Sequence, residues 1–171
     1  MTEVVRPAGI SVRPARSDEV RAVGALTVEA YRAAGHLAGA GTGYAATLAD
    51  AESRMRAAEL LVAVDAGGCL VGTVTIAQPG TPYAEISRAG ELEFRMLAVR
   101  AGVRGRGVGE MLVRAVLDRA EELGISRVVL CSPVDMPTAH RLYERVGFTR
   151  LPTRDWRPGP EVLLIAYAFD L

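Results

Sequence analysis

The chain contains no lysine, so all 20 of its basic side chains other than histidine are arginines. Without a lysine no Schiff base can form, which excludes ordinary pyridoxal phosphate chemistry. A Walker-type phosphate loop is excluded too, because its Gly-Lys-Ser/Thr core needs the lysine. Asparagine is also absent. Any site that usually employs an asparagine must therefore be built differently in this protein.

Cysteine is scarce, with only Cys69 and Cys131, which lie far apart in apolar, strand-like runs. They offer neither the CxxC spacing of a metal site nor a disulfide framework, so we expect no metal and interpret each as a small buried hydrophobe. No apolar stretch approaches the roughly 20 residues that a membrane span needs. Residues 1–9 lack the pattern of a signal peptide. We therefore expect a cytoplasmic protein that does not bind membranes.

The charges balance, with 20 acidic residues against 20 arginines. A broad basic surface for nucleic acid is therefore not expected. The length of 171 residues suits one domain, since domains usually run to roughly 100–200 residues. We expect a single domain over residues 10–171, preceded by an N-terminal extension at 1–9. Composition leaves open whether the protein is a monomer or a homodimer.

Hydrophobic periodicity predicts an alternation of strands and helices. A first strand at 10–16 is followed by a helix with Ser17 as its N-cap, and a second helix is expected at about 44–58. Further strands are predicted at 60–64, 69–77, 91–99, 128–131, 148–151 and 162–170, and further helices at 108–123 and 138–146. The turn at 65–68 predicts a hairpin, Gly147 is expected as a left-handed C-cap, and the proline-rich segment around Trp156 is predicted to be a loop. This order predicts an α/β (α+β) fold with a mixed central sheet of about seven strands and helices on both faces.

The segment Arg104-Gly105-Arg106-Gly107-Val108-Gly109 joins a predicted strand to a predicted helix. The first amides of a helix lack intrahelical acceptors, and the helix dipole places partial positive charge there. Glycines let the backbone approach a ligand closely, and the arginines add charge with a geometry suited to phosphate oxygens. Together these features predict a pyrophosphate site at a helix N-terminus.

The spacing of the glycines narrows the choice of ligand. A dinucleotide fingerprint begun at Gly105 would need a third glycine at position 110, which is Glu110. The pattern that fits is Arg-x-x-Gly-x-Gly, formed by Arg104, Gly107 and Gly109. An ordinary surface turn is the alternative for this segment taken alone.

Here the chain resembles the GCN5-related N-acetyltransferase (GNAT) superfamily, whose acetyl-CoA motif is Gln/Arg-x-x-Gly-x-Gly/Ala after its fourth strand. A second match runs from Ala139 through Tyr143 to Gly147-Phe148 and is similar to the family's Ala-x-x-x-Tyr-x-x-x-Gly-Phe junction of helix and strand. The two motifs are separated by one predicted helix and one strand, as in the family. The resemblance therefore covers essentially the whole chain and implies the GNAT fold with acetyl-CoA as co-substrate.

The resemblance also implies roles for individual residues. Leu97, Ala98 and Val99 would pair their backbone with the pantetheine beside a bulge in the strand, and a backbone N–H there would polarise the acetyl carbonyl. Tyr143 would place a phenol near the sulfur and protonate the departing thiolate, although packing under the sheet is an equally simple role. Glu93 would deprotonate the amine directly or through water. The alternative for Glu93 is a surface ion pair of the strand, either Glu93–Arg95 or Glu91–Arg95.

Other residues near the two motifs are weaker candidates for a functional role. Many family members carry an asparagine where this chain has Met136, and Asp135 or Ser132 could replace it as a polar partner. His140 is interpreted as a solvated or satisfied histidine rather than a base. His36, in a glycine-rich loop, is a candidate for the acceptor site.

The sequence thus predicts an acyltransferase that moves an acetyl group from acetyl-CoA to a primary amine of a small-molecule or peptide acceptor. The alternative from another class is a non-catalytic acyl-CoA binding or sensing module with the same fold. A nucleotide-binding protein that uses the same glycines is a third reading. No motif identifies the acceptor.

Overall fold

The computed structural model describes residues 9–37 and 42–171 of the chain. The predicted extension at 1–9 therefore lies almost wholly outside the described residues. The strands are β1 Ser11–Pro14, β2 Glu59–Val64, β3 Leu70–Ala77, β4 Glu91–Val99, β5 Arg127–Pro133, β6 Thr149–Arg150, β7 Trp156–Gly159 and β8 Val162–Asp170. The helices are α1 Val20–Ala33, α2 Thr42–Ala49, α3 Ala51–Ala57, α4 Val108–Glu122 and α5 Pro137–Val146.

The strands belong to one sheet in the order β1-β2-β3-β4-β5-β8-β6, with β7 paired to β8. The predicted mixed sheet is confirmed, but the described residues contribute eight strands to it where about seven were expected. The additional strand is β7, which lies in the proline-rich segment that was predicted to be a loop. Pro158 interrupts its pattern, and the strand is short and irregular in its pairing.

The chain divides into two compact units by its internal contacts. We call them the N-terminal unit, formed by Met1–Thr75 and Met96–Leu112, and the C-terminal unit, formed by Ile76–Arg95 and Val113–Leu171. The prediction of a single domain over residues 10–171 stays a prediction.

The N-terminal unit packs α1 and α3 with β2 and β3 around an apolar core. Its buried members are Val23, Leu26, Ala30, Ala51, Leu60, Val62, Val64, Leu70 and Ala98. Gly24 allows α1 to approach the end of α2 closely, because a Cβ at this position would lie 2.1 Å from the carbonyl oxygen of Ala49. Burial of this apolar surface is the main stabilising contribution.

Two predictions about helix boundaries in this unit are wrong. The predicted helix at 44–58 is two helices, because Asp50 caps α3 by accepting a hydrogen bond from the Ser53 N–H at 3.0 Å. The fully buried Arg54 donates back to the carbonyls of Thr47 and Leu48 at the end of α2. The turn before α1 begins after Arg16 rather than Ser17, and the Arg16 N–H donates to the Glu19 carboxylate at 2.8 Å.

The hairpin between β2 and β3 is confirmed, and it corrects the interpretation of one cysteine. The Asp65 carboxylate accepts from the N–H groups of Gly67 and Cys69, and Gly68 adopts a φ of 82°. Cys69 lies in this turn and is exposed. The prediction that it is a buried hydrophobe is therefore wrong.

In the C-terminal unit the start of β4 pairs in parallel with β5, and Glu93 lies opposite Val129. Strand β8 then pairs antiparallel with β5, with Ala166 opposite Cys131. Helix α5 ends at Gly147, whose φ of 119° is the predicted left-handed C-cap.

An aromatic cluster fills the core of the C-terminal unit beneath α5. The Tyr143 ring lies 5.9 Å from Phe94, 6.2 Å from Phe148 and 5.8 Å from Tyr167, measured between centroids. Such tilted and edge-to-face contacts stabilise the cluster beyond the burial of its area. They fix α5 through the same residue that the sequence selects as a functional phenol.

Candidate functional site

Strand β4 carries an irregularity in its second half. Met96 has a φ of 54°, the only positive φ of a non-glycine residue among those the structure describes. Such a conformation costs on the order of 1–3 kcal/mol and persists only where the surroundings impose it. The family resemblance implies a bulge near this point, and the three residues that follow Met96 are Leu97, Ala98 and Val99, the predicted cofactor-pairing segment. Their pairing with a cofactor stays a prediction.

The segment Arg104–Gly109 has the geometry of a turn that opens a helix. Gly105 and Gly107 adopt φ values of 78° and 79°, which favour glycine over any side chain. Helix α4 begins at Val108, and the Met111 N–H donates to the Gly107 carbonyl at 3.0 Å. The backbone N–H groups of Val108 and Gly109 lie before this bond, in the first turn of the helix. This end of α4 can therefore offer backbone donors to an anion.

The two arginines of this segment are both exposed but differ in their contacts. Arg104 donates from Nη2 to the Ala30 carbonyl near the end of α1, at 3.0 Å. Arg106 lines a cavity of about 390 Å³ together with Asp65, Val71 and Val103. Since a guanidinium has five donors, Arg104 can hold α1 and still contact a ligand. The sequence did not predict this contact with α1.

Gly72 of β3 sets the position of the first turns of α4, and sequence analysis missed it. A Cβ at this position would lie 2.9 Å from Leu112 Cδ1, 3.0 Å from Val108 Cγ1 and 3.2 Å from the Ala98 carbonyl oxygen. Only glycine allows the helix to pack this closely on the sheet. The signal available in the sequence was a lone glycine inside a strand pattern, which indicates close backbone approach.

Glu93 is fully buried and holds the loop that precedes β4. Its Oε2 accepts hydrogen bonds from the N–H groups of Glu85, Ile86 and Ser87 at 2.9, 3.1 and 3.0 Å. Its Oε1 is buried and has no hydrogen-bond partner among the described residues. One carboxylate oxygen thus has a structural contact, whereas the other has none among the described residues.

The surface ion pairs that were the alternative for Glu93 are not formed. Arg95 instead pairs with Glu85 and donates to the Tyr83 carbonyl. Glu91 pairs with Arg154, which reaches it from the segment before β7. Burial alone would raise the pKa of Glu91, but its hydrogen bonds, above all from Arg154, outweigh burial and lower that pKa. Both predicted pairings are therefore wrong.

Tyr143 is 5% exposed within the aromatic cluster of the C-terminal unit. Desolvation, with smaller contributions from Cys131 and Tyr167, raises the pKa of its phenol above the ordinary value. The hydroxyl therefore stays protonated throughout the physiological range. Its packing role is evident from the ring contacts, and its role as a proton donor stays a prediction.

The polar groups of Pro133 and Ser132 contact His140 close to Met136, the residue at the position of the family's usual asparagine. The Nε2 of His140 lies 3.1 Å from the Pro133 carbonyl, which can only accept, and 3.2 Å from Ser132 Oγ. Nε2 must carry the proton to make the first contact, so it cannot deprotonate Ser132. Burial lowers the pKa of His140. Ser132 Oγ donates to Met136 Sδ at 3.9 Å, so Ser132 contacts the residue that replaces the asparagine.

One other candidate from the sequence, His36, has a modest contact. The His36 ring meets Tyr31 edge-on, with centroids 6.3 Å apart. Part of its glycine-rich loop, residues 38–41, lies outside the described residues.

Among the described residues no group of three histidine, cysteine or acidic side chains is placed to hold a metal ion. None of the helices in the described ranges is long and apolar enough to cross a membrane.

The sequence also missed a buried polar neighbourhood around β5. Burial raises the pKa of the Cys131 thiol to about 12; a hydrogen bond from the Trp156 indole opposes this rise, and the nearby carboxylates of Glu85 and Glu93 add to it. The thiol is therefore neutral and a poor nucleophile. The proline-rich sequence gave no indication that Trp156 returns to the sheet beside β8.

Comparison with known proteins identifies the family of this chain. The model of the Acetyltransferase (GNAT) family matches residues 23–148. An uncharacterized N-acetyltransferase of Schizosaccharomyces pombe is 33% identical over 104 residues, which cover 61% of this chain and 60% of that protein. Mycothiol acetyltransferase of Pseudarthrobacter chlorophenolicus is 30% identical over 162 residues, which cover 88% of this chain and 46% of that protein.

A solved structure shares the fold over nearly the whole chain. The Salmonella typhimurium protein yncA, solved with its cofactor acetyl-CoA, superposes with a TM-score of 0.67 at 18% identity, covering 96% of this chain and 95% of that one. The curated relatives are mostly longer proteins, of which the matches span 24% to 60%. The family model covers well over half of this chain, and the fold agrees with it. The chain belongs to the GNAT acetyltransferase family.

Proposed function

We propose that this protein is an N-acetyltransferase that moves an acetyl group from acetyl-CoA to a primary amine by direct attack. The observation that carries the proposal is strand β4, which runs from the buried carboxylate of Glu93 through the Met96 irregularity to the glycine-arginine turn that opens α4. The strand thus joins a candidate base to a candidate phosphate site along one element. Membership of the family supports acetyl-CoA as the donor.

The turn and the strand would bind the donor in two ways. The backbone from Arg104 to Gly109, including Gly105, Arg106, Gly107 and Val108, would surround the pyrophosphate at the N-terminus of α4. The backbone of Leu97, Ala98 and Val99 would pair with the pantetheine amides, and a backbone N–H there would stabilise charge on the acetyl oxygen. Arg104 would contribute the guanidinium nitrogens that Ala30 does not occupy.

Acid and base roles would fall to two buried groups of the C-terminal unit. Oε1 of Glu93 would accept a proton from the attacking amine, directly or through water, while Oε2 keeps the loop in place. The amine nitrogen then bonds to the acetyl carbon as the carbon–sulfur bond breaks. The Tyr143 hydroxyl, which is protonated at neutral pH, would donate its proton to the departing thiolate.

Release of free CoA thiol from acetyl-CoA across a panel of primary amines tests this proposal. An N-acetyltransferase releases thiol in proportion to acetylated amine, which mass spectrometry detects directly. Binding of acetyl-CoA without thiol release for any small or peptide amine would favour the non-catalytic binding module instead. Arg104→Glu should weaken binding of acetyl-CoA strongly, because it replaces a cation beside the pyrophosphate with an anion.

A further inference from the structure

A cavity of the N-terminal unit brings one acidic and one basic side chain together with apolar ones. Its volume is about 390 Å³, and its lining residues include Ile10, Asp65, Ala66, Val71, Val103 and Arg106. All six belong to the N-terminal unit. The volume lies toward the lower end of the roughly 300–1,000 Å³ that is usual for small-molecule sites. The cavity can therefore hold a small ligand.

The elements around this cavity differ from those that would bind the donor. Its walls come from the hairpin turn between β2 and β3, the start of β3 and the segment before Arg104. Of the described residues that line it, none belongs to β4 or α4. Arg106 is shared with the proposed phosphate turn, where its backbone is expected to act. The side chain of Arg106 can therefore serve a second ligand.

Both charged side chains of the cavity retain capacity for a ligand. Asp65 Oδ1 accepts from the N–H groups of Gly67 and Cys69 at 3.0 and 2.9 Å, whereas Oδ2 has no hydrogen-bond partner among the described residues. The Arg106 guanidinium forms no hydrogen bond or ion pair within the described part of the chain. Asp65 and Arg106 thus line one cavity without pairing to each other. A ligand with a positive and a negative group can bridge them.

The remaining wall of the cavity is aliphatic. Val71 is 1% exposed, and Ile10 and Val103 are half-buried. Gly9 adopts a φ of 84°, and a Cβ at this position would lie 3.2 Å from Ala66 Cβ. The chain therefore passes close to the hairpin turn and brings Ile10 to the cavity. These branched side chains favour an aliphatic group on the ligand, because its burial removes apolar surface from water.

We propose that this cavity binds a free aliphatic α-amino acid of the size of leucine, as a ligand distinct from the acetyl donor and from the acceptor. The α-carboxylate accepts from the Arg106 guanidinium, and the α-ammonium donates to Asp65 Oδ2. The side chain packs against Val71 and Val103. The distinction from the acceptor rests on the proposed function, in which the pantetheine arm separates the acetyl group from the phosphate turn.

Calorimetric titration of the wild-type protein with leucine tests the site, and three related compounds each lack one of the recognised groups. Isocaproate lacks the ammonium, isoamylamine lacks the carboxylate and glycine lacks the aliphatic chain. We expect saturable binding of one leucine per chain. Each of the three compounds should bind roughly tenfold more weakly or worse, since each loses a charged hydrogen bond or the apolar contact.

Two substitutions remove the charges while sparing the fold. Asp65→Asn keeps an oxygen for the N–H groups of Gly67 and Cys69 and loses the negative charge. Arg106→Gln loses the guanidinium. Each should weaken leucine binding roughly tenfold or more. Arg21→Gln, which removes an exposed arginine of α1, should leave it unchanged.

Absence of leucine binding to the wild-type protein would overturn the inference, and so would equal affinity for leucine and glycine. Unchanged affinity in both Asp65→Asn and Arg106→Gln would overturn it as well. Leucine should still bind when CoA is present at saturation, and complete displacement by CoA would assign the cavity to the donor site instead. Leucine binding is measured without acetyl-CoA and thiol release is measured separately, so failure of the site leaves the proposed function standing, and failure of thiol release leaves the site.

Discussion

Replacing Gly72 with alanine should disturb the proposed phosphate-binding end of α4, although Gly72 itself is not among the residues proposed to contact the cofactor. The new Cβ would lie 2.9 Å from Leu112 Cδ1, 3.0 Å from Val108 Cγ1 and 3.2 Å from the Ala98 carbonyl oxygen. The leucine methyl can rotate away, but the valine is branched at Cβ and the carbonyl belongs to the backbone. Helix α4 must therefore shift outward by a few tenths of an ångström.

The expected size of the effect follows from these contacts. Overpacking of this kind costs about 1–3 kcal/mol, and alanine recovers about 0.4–1 kcal/mol by restricting the unfolded chain. We expect a net loss of roughly 1–2 kcal/mol in the free energy of unfolding, measured by urea denaturation. The displaced amides should raise the Kd for CoA roughly threefold to tenfold, since tenfold corresponds to about 1.4 kcal/mol. Calorimetric titration with CoA measures that change.

Gly102 offers a matched control in the turn just before the phosphate segment. A Cβ there meets no atom within 4 Å, so Gly102→Ala should change the free energy of unfolding by less than about 0.5 kcal/mol. If Gly72→Ala matched Gly102→Ala in both stability and CoA affinity, close packing at Gly72 would not determine the position of the helix end. The reasoning about α4 would then be refuted.

Three further predictions concern protons and thiols. Tyr143→Phe should lower turnover roughly 100-fold while the Kd for acetyl-CoA stays nearly unchanged; unchanged turnover in steady-state kinetics would remove it as the acid. Native protein treated with iodoacetamide at neutral pH should be labelled at the exposed Cys69 but scarcely at Cys131, whose pKa is raised to about 12 by burial; equal labelling by mass spectrometry would contradict that burial. The hydrogen bond from Arg13 lowers the pKa of Glu19 from 4.5 to about 2. The ionised Glu19 carboxylate therefore stabilises the folded protein fully above pH 4.5, and this stabilisation is lost as the pH falls from 4.5 to about 2. Urea denaturation should show that Glu19→Gln loses less stability over this pH range than the wild-type protein does. An equal loss in the two proteins would refute the assignment.

The parts of the fold that the sequence could predict are those with a strong local pattern. The bounds of β4 and β8 agree with the prediction, and so does the C-cap at Gly147. The two strands follow from hydrophobic periodicity, and the C-cap follows from a glycine placed directly after a helical pattern. The break between α2 and α3 was missed because apolar spacing continues through Asp50, and only the hydrogen bonds of Asp50 and Arg54 show where the helix ends.

The candidate site was predictable where it is encoded by a contiguous motif. The glycine-arginine turn and Tyr143 were found because family spacing identifies them. The contacts of Glu93 were not, because its partners come from a loop without a pattern, and the ion pair of Glu91 joins residues 63 positions apart. The neighbourhood of Trp156 likewise depends on an irregular strand interrupted by proline. Contacts between distant segments require the fold before they can be named.

Calorimetric titration of acetyl-CoA into the wild-type protein tests the central claim most directly. We expect saturable binding of one molecule per chain with a Kd of roughly micromolar size, weakened strongly by Arg104→Glu. Absence of binding to the folded wild-type protein, or a preference for ATP or NAD over CoA, would contradict the claim that the turn from Arg104 to Gly109 binds this donor.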